Sequence, residues 1–140
     1  MIALRYKRDK HFQENQSFLS AVAKNANGFT TIVNLLELCG ILSLNLNRDQ
    51  LLDLWTYFND RYKITVLPEP DLQSNFPGIE IGHLFSILSK KSSFGDALMM
   101  AVAEKCLSFV STMVTWDKEH FKDRFNGEIL TPEEYMAKFV

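Results

Sequence analysis

Three acidic residues stand where their carboxylates can do chemistry. Glu37 lies inside the nearly all-apolar stretch 32–42, and Asp96 lies near the start of a second apolar helical stretch. Asp117 directly follows a short apolar stretch. Because apolar residues occur all round the helix predicted at 32–42, we expect Glu37 to be buried on most sides. A buried carboxylate must shift its pKa or find a partner, and a shared metal ion is such a partner.

The chemistry that three such carboxylates support is the hydrolysis of phosphodiester bonds. Hard divalent cations such as Mg²⁺ and Mn²⁺ prefer carboxylate oxygens as ligands. Carboxylates held close together repel one another, and a bound cation relieves that repulsion. The cation also lowers the pKa of a bound water and neutralises the charge that develops on the phosphate. The three acids therefore favour a metal-dependent nuclease.

Each of the three acids also has a structural interpretation. Glu37 can lie on a narrow exposed strip that it shares with Asn34. Asp96 fits the third helical position of a capping box that Ser93 opens, where a carboxylate also suits the helix dipole. Asp117 fits the N-cap of the short helix that follows it. The sequence leaves both interpretations open for every one of these residues.

Histidines and cysteines add little to the site. His120 can be a proton shuttle, a phosphate contact or a packed ring, whereas His11 and His83 are predicted to be surface residues. Cys39 and Cys106 lie in apolar helical patterns without a second metal-ligand residue at zinc spacing. We therefore predict two reduced, buried cysteines and no zinc site.

The composition is that of an ordinary globular protein. The chain has 140 residues, 46% hydrophobic and 23% charged, with a net charge of −2, which favours one domain of about this size. We expect neither a transmembrane helix nor a signal peptide. The basic residues Arg5, Lys7, Arg8 and Lys10 can either follow a phosphate backbone or form a solvated helix face.

The order of predicted elements favours an α/β fold. Short buried strands separated by helices favour a parallel sheet covered by helices on both faces, with the working site at the carboxyl ends of the strands. A capping box at Asn47 and Gln50, and another at Thr131 and Glu134, predict two helix starts. The predicted helices are 1–8, 11–24, 32–42, 47–62, 81–88, 93–107, 118–124 and 131 onward, and the predicted extended segments are 29–31, 64–67, 111–115 and 128–130.

Four segments, in this order, resemble the PIN-domain family, and among its members the toxin ribonucleases of type II toxin–antitoxin pairs. The resemblance covers essentially the whole chain, as one PIN-like domain, and rests on 31–38 (TIVNLLEL), 95–101 (GDALMMA), 115–121 (TWDKEHF) and 130–135 (LTPEEY). It implies a three-layer α/β/α sandwich with a short central parallel sheet and a Mg²⁺- or Mn²⁺-dependent endoribonuclease activity. It makes Glu37, Asp96 and Asp117 the catalytic, metal-binding acids.

The resemblance also implies partners and a location. The expected partners are an RNA substrate, a cognate antitoxin protein and a second copy in a homodimer, without a membrane partner, in the cytoplasm. Trp55, Tyr57 and Phe58 include candidates for an exposed apolar patch.

The sequence departs from the family pattern at its start. Family members open with a hydrophobic strand that ends in Asp and leads into a helix similar to 1–6, and neither that strand nor its Asp is present. Asp9 does not replace it, because it lies in a charged segment beyond the first predicted helix. We therefore expect that the native product starts upstream of Met1. A chain that begins at Met1 is expected to have weak catalysis or none.

Two rival functions remain compatible with the sequence. The first is a PIN-fold module that binds RNA or a protein without cleaving. The second is a metal-dependent DNA or flap nuclease, since the same acids serve that reaction.

Overall fold

A computed structural model describes residues 9–140, so the helix predicted at 1–8 lies outside the described residues. The described chain is mixed α/β and divides into two compact units. One unit, which we call the acid-pair unit, is Phe29–Ser108. The other, which we call the terminal unit, joins the described residues up to Gly28 with Phe109–Val140. Among the described residues, none of the helices has both the length and the apolar character to cross a bilayer.

The acid-pair unit begins with a strand that runs directly into a helix. Strand β1 is Gly28–Thr31 and helix α2 is Ile32–Leu42, and both follow helix α1, Phe12–Asn25, of the terminal unit. Thr31 caps α2 because its hydroxyl oxygen accepts a hydrogen bond from the backbone N–H of Asn34. One side of α2 is buried and forms much of the core of this unit, namely Ile32, Val33, Leu35, Leu38 and Leu42.

Helix α3, Arg48–Tyr62, starts at the predicted capping box. The side chain of Asn47 accepts from the N–H of Gln50, and the Gln50 side chain accepts from the N–H of Asn47. After a left-handed Lys63, strand β2 at Ile64–Leu67 pairs with β1. Phe58 is only 1% exposed, so this member of the predicted surface patch belongs to the core instead.

The acid-pair unit ends with two packed helices. Helix α4 is Ile81–Leu88 and helix α5 is Phe94–Cys106. The middle of α5 is apolar and buried, as its sequence of small and flexible side chains allows. Its buried residues are Ala97, Met99, Met100, Ala101 and Val102.

The terminal unit consists of helices α1 (Phe12–Asn25), α6 (Lys118–Phe121) and α7 (Pro132–Phe139), with strands β3 (Thr112–Val114) and β4 (Glu128–Leu130). Strands β3 and β4 are parallel, with Met113 opposite Ile129. The capping box predicted for α7 is confirmed, because Thr131 accepts from the N–H of Glu134 and Glu134 accepts from the N–H of Thr131.

The arrangement of strands differs from the single sheet predicted from the sequence. In residues 9–140 the strands form two separate two-stranded sheets, β1 with β2 and β3 with β4. The order of helices and strands predicted for residues 9–140 is found, but each strand pairs with one other strand only. Pairing between strands distant in sequence depends on tertiary packing, which local patterns do not encode.

Candidate active site

Glu37 lies on the exposed side of α2. The expectation that it is buried on most sides is wrong, because the apolar residues of α2 are not all used by the core. Leu36, Gly40 and Ile41 are exposed together with Glu37, although an all-apolar pattern gives no sign of which side faces outward. The carboxylate of Glu37 is therefore accessible to a ligand from solution.

The carboxylate of Glu37 lies against Gly95, the residue before Asp96. A β-carbon at Gly95 would lie 2.5 Å from Oε1 of Glu37, so a side chain at this position displaces the carboxylate. Helices α2 and α5 are in contact, and this packing brings the Glu37 carboxylate to Gly95, which is far from Glu37 in the sequence and next to Asp96. Gly95 thus has a spatial role that its helical backbone alone does not require.

Asp96 is held by the residue that caps its helix. Oγ of Ser93 accepts from the backbone N–H of Asp96 at 3.1 Å, which confirms Ser93 as the N-cap of α5. The same Ser93 hydroxyl donates to Oδ2 of Asp96 at 2.6 Å. This pair of bonds fixes the half-buried Asp96 carboxylate at the start of α5, where the helix dipole favours negative charge.

Glu37 and Asp96 belong to one unit, where the Glu37 carboxylate lies against Gly95, the residue before Asp96. Throughout residues 9–140 no group of three or more His, Cys, Asp and Glu side chains is arranged to hold a metal ion. Two carboxylates still offer hard oxygen donors of the type that Mg²⁺ and Mn²⁺ bind, and such a cation usually keeps several waters as its other ligands. The donor set of the pair therefore fits such a cation.

Asp117 lies in the terminal unit, just before α6, and is exposed. Asp117 occupies the N-cap position of α6, as the structural interpretation predicted, but its carboxylate makes no capping hydrogen bond to α6. Its backbone N–H instead donates to Oγ1 of Thr115 at 3.1 Å.

His11 and His120 each pack against an aromatic ring. His11 stacks on Trp116 with ring centroids 3.8 Å apart, and Nε1 of Trp116 donates to Oδ1 of the buried Asn15 at 3.1 Å. His120 packs edge-on against Phe121 at 5.0 Å, as the packed-ring interpretation expects. The partner of His11 is distant in the sequence, and the contact of His120 with Phe121 depends on how the two rings are oriented. The periodicity of the sequence indicates neither contact.

His83 also has a partner, on a neighbouring helix of the acid-pair unit. His83 is exposed, as predicted, and its Nε2 lies 2.7 Å from Oε2 of Glu104 on α5, so it also forms a contact between helices.

A groove of about 680 Å³ lies elsewhere on the acid-pair unit, along α3, β2 and the segment after β2. Asp60, Glu69 and Asp71 line it together with Trp55, and none of the three predicted site acids does. The pKa of Asp71 is lowered by the N–H of Gln73 and by the Ser74 hydroxyl. The negative charge of this groove opposes the binding of a phosphate backbone.

Comparison of the chain with protein-family models, with curated proteins and with solved structures finds no significant match.

Proposed function

We propose that this protein is a metal-dependent endoribonuclease with a PIN-like α/β/α sandwich fold, of the kind found as the toxin of a toxin–antitoxin pair. Glu37 and Asp96 are the two acids of its cation site in the acid-pair unit. The observation that carries the proposal is the position of the Glu37 carboxylate against Gly95, next to Asp96. The sequence resemblance supplies the reaction class.

The placement of the two acids supports a cation site for an electrostatic reason. Two carboxylates gathered at one place repel each other unless a cation or a proton compensates them. Helix α5 offers a positive dipole end at Asp96, which is a partial charge only and compensates one carboxylate weakly. A divalent cation compensates both.

The residues of the site have separate tasks in this proposal. Glu37 and Asp96 hold the cation, Ser93 orients the Asp96 carboxylate through its hydroxyl, and Gly95 leaves the space that Glu37 occupies. A bound Mg²⁺ or Mn²⁺ supplies Lewis acidity for the attacking water and the phosphate. Asp117 is retained from the sequence as the third acid, and its part is tested by its own substitution.

The partners follow from the resemblance and are part of the same proposal. They are an RNA substrate, an antitoxin protein that blocks the site and a second copy of the chain, in the cytoplasm. Specificity for one RNA depends on surface shape and charge and not on the shared acids.

The test is cleavage of a structured RNA by the purified protein with Mn²⁺ and then with EDTA. We expect cleavage that requires the metal and is lost in Asp96→Asn, a change that keeps the side-chain shape and the cap. Asp53→Asn, an exposed acid of α3, is the control and should retain full activity. The same assay with Asp117→Asn decides whether the third acid takes part.

The outcome also separates the rival functions. Cleavage that persists in EDTA or in Asp96→Asn contradicts the proposal. Binding of RNA without cleavage supports the PIN-fold binding module, and cleavage of DNA in preference to RNA supports the metal-dependent DNA or flap nuclease.

A further inference from the structure

The groove on the acid-pair unit contains an open strand edge. Within residues 9–140, β2 pairs with β1 alone, and no further backbone hydrogen bond involves residues 64–67. The other edge of β2 therefore presents backbone N–H and C=O groups with which another chain can pair. Three successive residues of β2 line the groove, namely Thr65, Val66 and Leu67. Because successive side chains of a strand point to opposite faces, contact with all three indicates that the groove reaches β2 along its edge.

The walls of the groove are held in place by hydrogen bonds. Nε1 of Trp55 on α3 donates to the carbonyl of Pro70 at 3.1 Å, which ties the segment after β2 to the helix. Within that segment, Asp71 accepts from the N–H of Gln73 and from the hydroxyl of Ser74, each at 2.9 Å. The walls therefore have their shape before a partner arrives, which lowers the entropic cost of binding.

The charged residues that line the groove are all acidic. They are Asp60 on α3 with Glu69 and Asp71 after β2, and all three are exposed. The basic residues Arg61 and Lys63 lie just before β2 in the sequence and are not among the residues that line the groove. Opposite charges steer and orient association, so the groove favours a positively charged partner and disfavours a nucleic acid.

Apolar side chains lie between these acids and suit the same kind of partner. Trp55, Val66 and Leu72 line the groove together with the three carboxylates. Lys and Arg side chains place their alkyl stems along apolar surface while their charged ends reach an acid. A cation can also lie over the indole ring of a tryptophan. The groove therefore fits Lys and Arg side chains better than small inorganic cations.

We propose that this groove binds an extended segment of another protein that carries Lys or Arg residues, and that the segment adds as a strand to the open edge of β2. Main-chain hydrogen bonds to β2 provide affinity, and the carboxylates of Asp60, Glu69 and Asp71 select positively charged side chains. This inference does not depend on the ribonuclease activity, since none of the predicted site acids lines the groove.

The experiment measures binding of a fluorescently labelled peptide to the full chain by anisotropy. The peptide has about eight alternating Lys and Val residues, which extends beyond the four residues of β2 at both ends. We expect saturable binding that weakens as salt is added, and no binding of a peptide in which Glu replaces every Lys. A wild-type chain that does not bind the Lys peptide at low salt overturns the proposal.

Substitutions in the groove test the selection of charge. Asp60→Asn and Glu69→Gln should each weaken binding roughly two- to fivefold, and the double variant roughly tenfold or more. Asp53→Asn is the matched control, because Asp53 lies on α3 about 10 Å along the helix axis from Asp60 and does not line the groove. Its dissociation constant should equal that of the wild type. Binding that the double variant leaves intact overturns the proposal, and circular dichroism melting verifies that each variant is folded.

Methylation of the peptide backbone tests the addition of a strand. A peptide with the same side chains and a methyl group on each central backbone nitrogen keeps its charge and loses its N–H donors. It should bind roughly tenfold or more weakly than the parent peptide. Equal binding of the two peptides overturns strand addition and shows instead a groove for flexible organic cations, in which case spermine should compete with both.

Discussion

Two helices of this protein begin with the same kind of signal, a hydroxyl residue followed three positions later by an acid, yet the two acids have different surroundings. At α7, Glu134 bonds the N–H of Thr131 and forms an ion pair with Lys118 at 2.6 Å. At α5, Asp96 accepts a hydrogen bond from the Ser93 hydroxyl, and the carboxylate of Glu37 lies against the preceding residue, Gly95. Glu134 is thus paired with Lys118, whereas at α5 a second acid lies against the residue before Asp96.

The difference shows how the same local pattern serves structure in one place and a candidate site in another. A capping box at α7 is complete within four residues, and Lys118 adds to it from α6 of the same unit. The start of α5 depends on packing against α2, which is contributed from a distant part of the chain. Whether a capping acid has a further role is therefore decided by its tertiary neighbour and not by its own motif.

The largest effect should come from neutralising Glu37, the acid that belongs to no capping motif. Glu37→Gln removes the charge and keeps the side-chain volume at an exposed position. We expect Mn²⁺-dependent RNA cleavage to fall by about a hundredfold or more, since loss even of an outer partner of a metal site costs roughly 10- to 100-fold. The free energy of unfolding should change by no more than about 0.5 kcal/mol.

The matched change at α7, Glu134→Gln, should leave cleavage unchanged. Equal loss of cleavage in both variants would contradict the assignment of the acids to different roles.

The second largest effect should come from filling the space that Gly95 leaves for the Glu37 carboxylate, without changing any charge. Gly95→Ala puts a methyl group where the Glu37 carboxylate lies, and the flexible end of Glu37 can swing away at little cost in stability. We expect cleavage to fall by roughly tenfold, as a misplaced ligand lowers metal affinity. Stability should stay the same or rise by up to about 1 kcal/mol, because alanine favours the helix.

Gly40→Ala is the control for the previous change. Gly40 lies on α2, and a β-carbon at this position meets nothing within 4 Å. Gly40→Ala should raise the stability of the helix, because alanine favours a helix over glycine, and should leave cleavage unaffected. A loss of cleavage in Gly40→Ala would show that the effect at Gly95 is not specific to the displaced carboxylate.

The two caps give a smaller and sharper contrast. Ser93→Ala and Thr131→Ala should each lower the free energy of unfolding by about 1 kcal/mol, as the loss of a cap does. Only Ser93→Ala should also weaken Mn²⁺ binding, because Ser93 orients the Asp96 carboxylate. Thermal melting and Mn²⁺ titration calorimetry of the two variants provide the comparison. Equal Mn²⁺ affinity in both would remove Ser93 from the site.

The smallest effect concerns pH at α7. The Lys118 side chain, and then the N–H of Thr131, lower the pKa of Glu134 below its ordinary value of 4.5. A lowered folded-state pKa means that this carboxylate stabilises the fold above the ordinary value and that the contribution disappears as the pH falls through the folded-state pKa. The stability difference between the wild type and Glu134→Gln, measured by urea unfolding, should shrink on acidification. A difference that grows at low pH contradicts this assignment.

The sequence predicted those features that local chemistry determines. The capping boxes at Asn47 and Thr131, the cap at Ser93 and the strand at 64–67 are all found. Each depends on residues within a few positions of one another, so the pattern and the structure share one cause.

The remaining features depend on contacts between distant residues. No local pattern separates the buried Phe58 from its exposed neighbour Tyr57, places the Glu37 carboxylate at Gly95, or stacks His11 on Trp116. Helix α4 was predicted correctly as a helix, whereas the exposure of its residues Ile81 and Phe85 follows from how the helix packs against α5.

The most direct test of the account is the position of Mn²⁺ in a crystal of this protein grown with MnCl₂, located by its anomalous scattering. The account predicts a peak within roughly 2.5 Å of a carboxylate oxygen of Glu37 and of one of Asp96, the distance range of hard cations bound to oxygen. It predicts no such peak at Glu134. A peak absent from the Glu37 and Asp96 carboxylates at a Mn²⁺ concentration that supports cleavage would contradict the central claim.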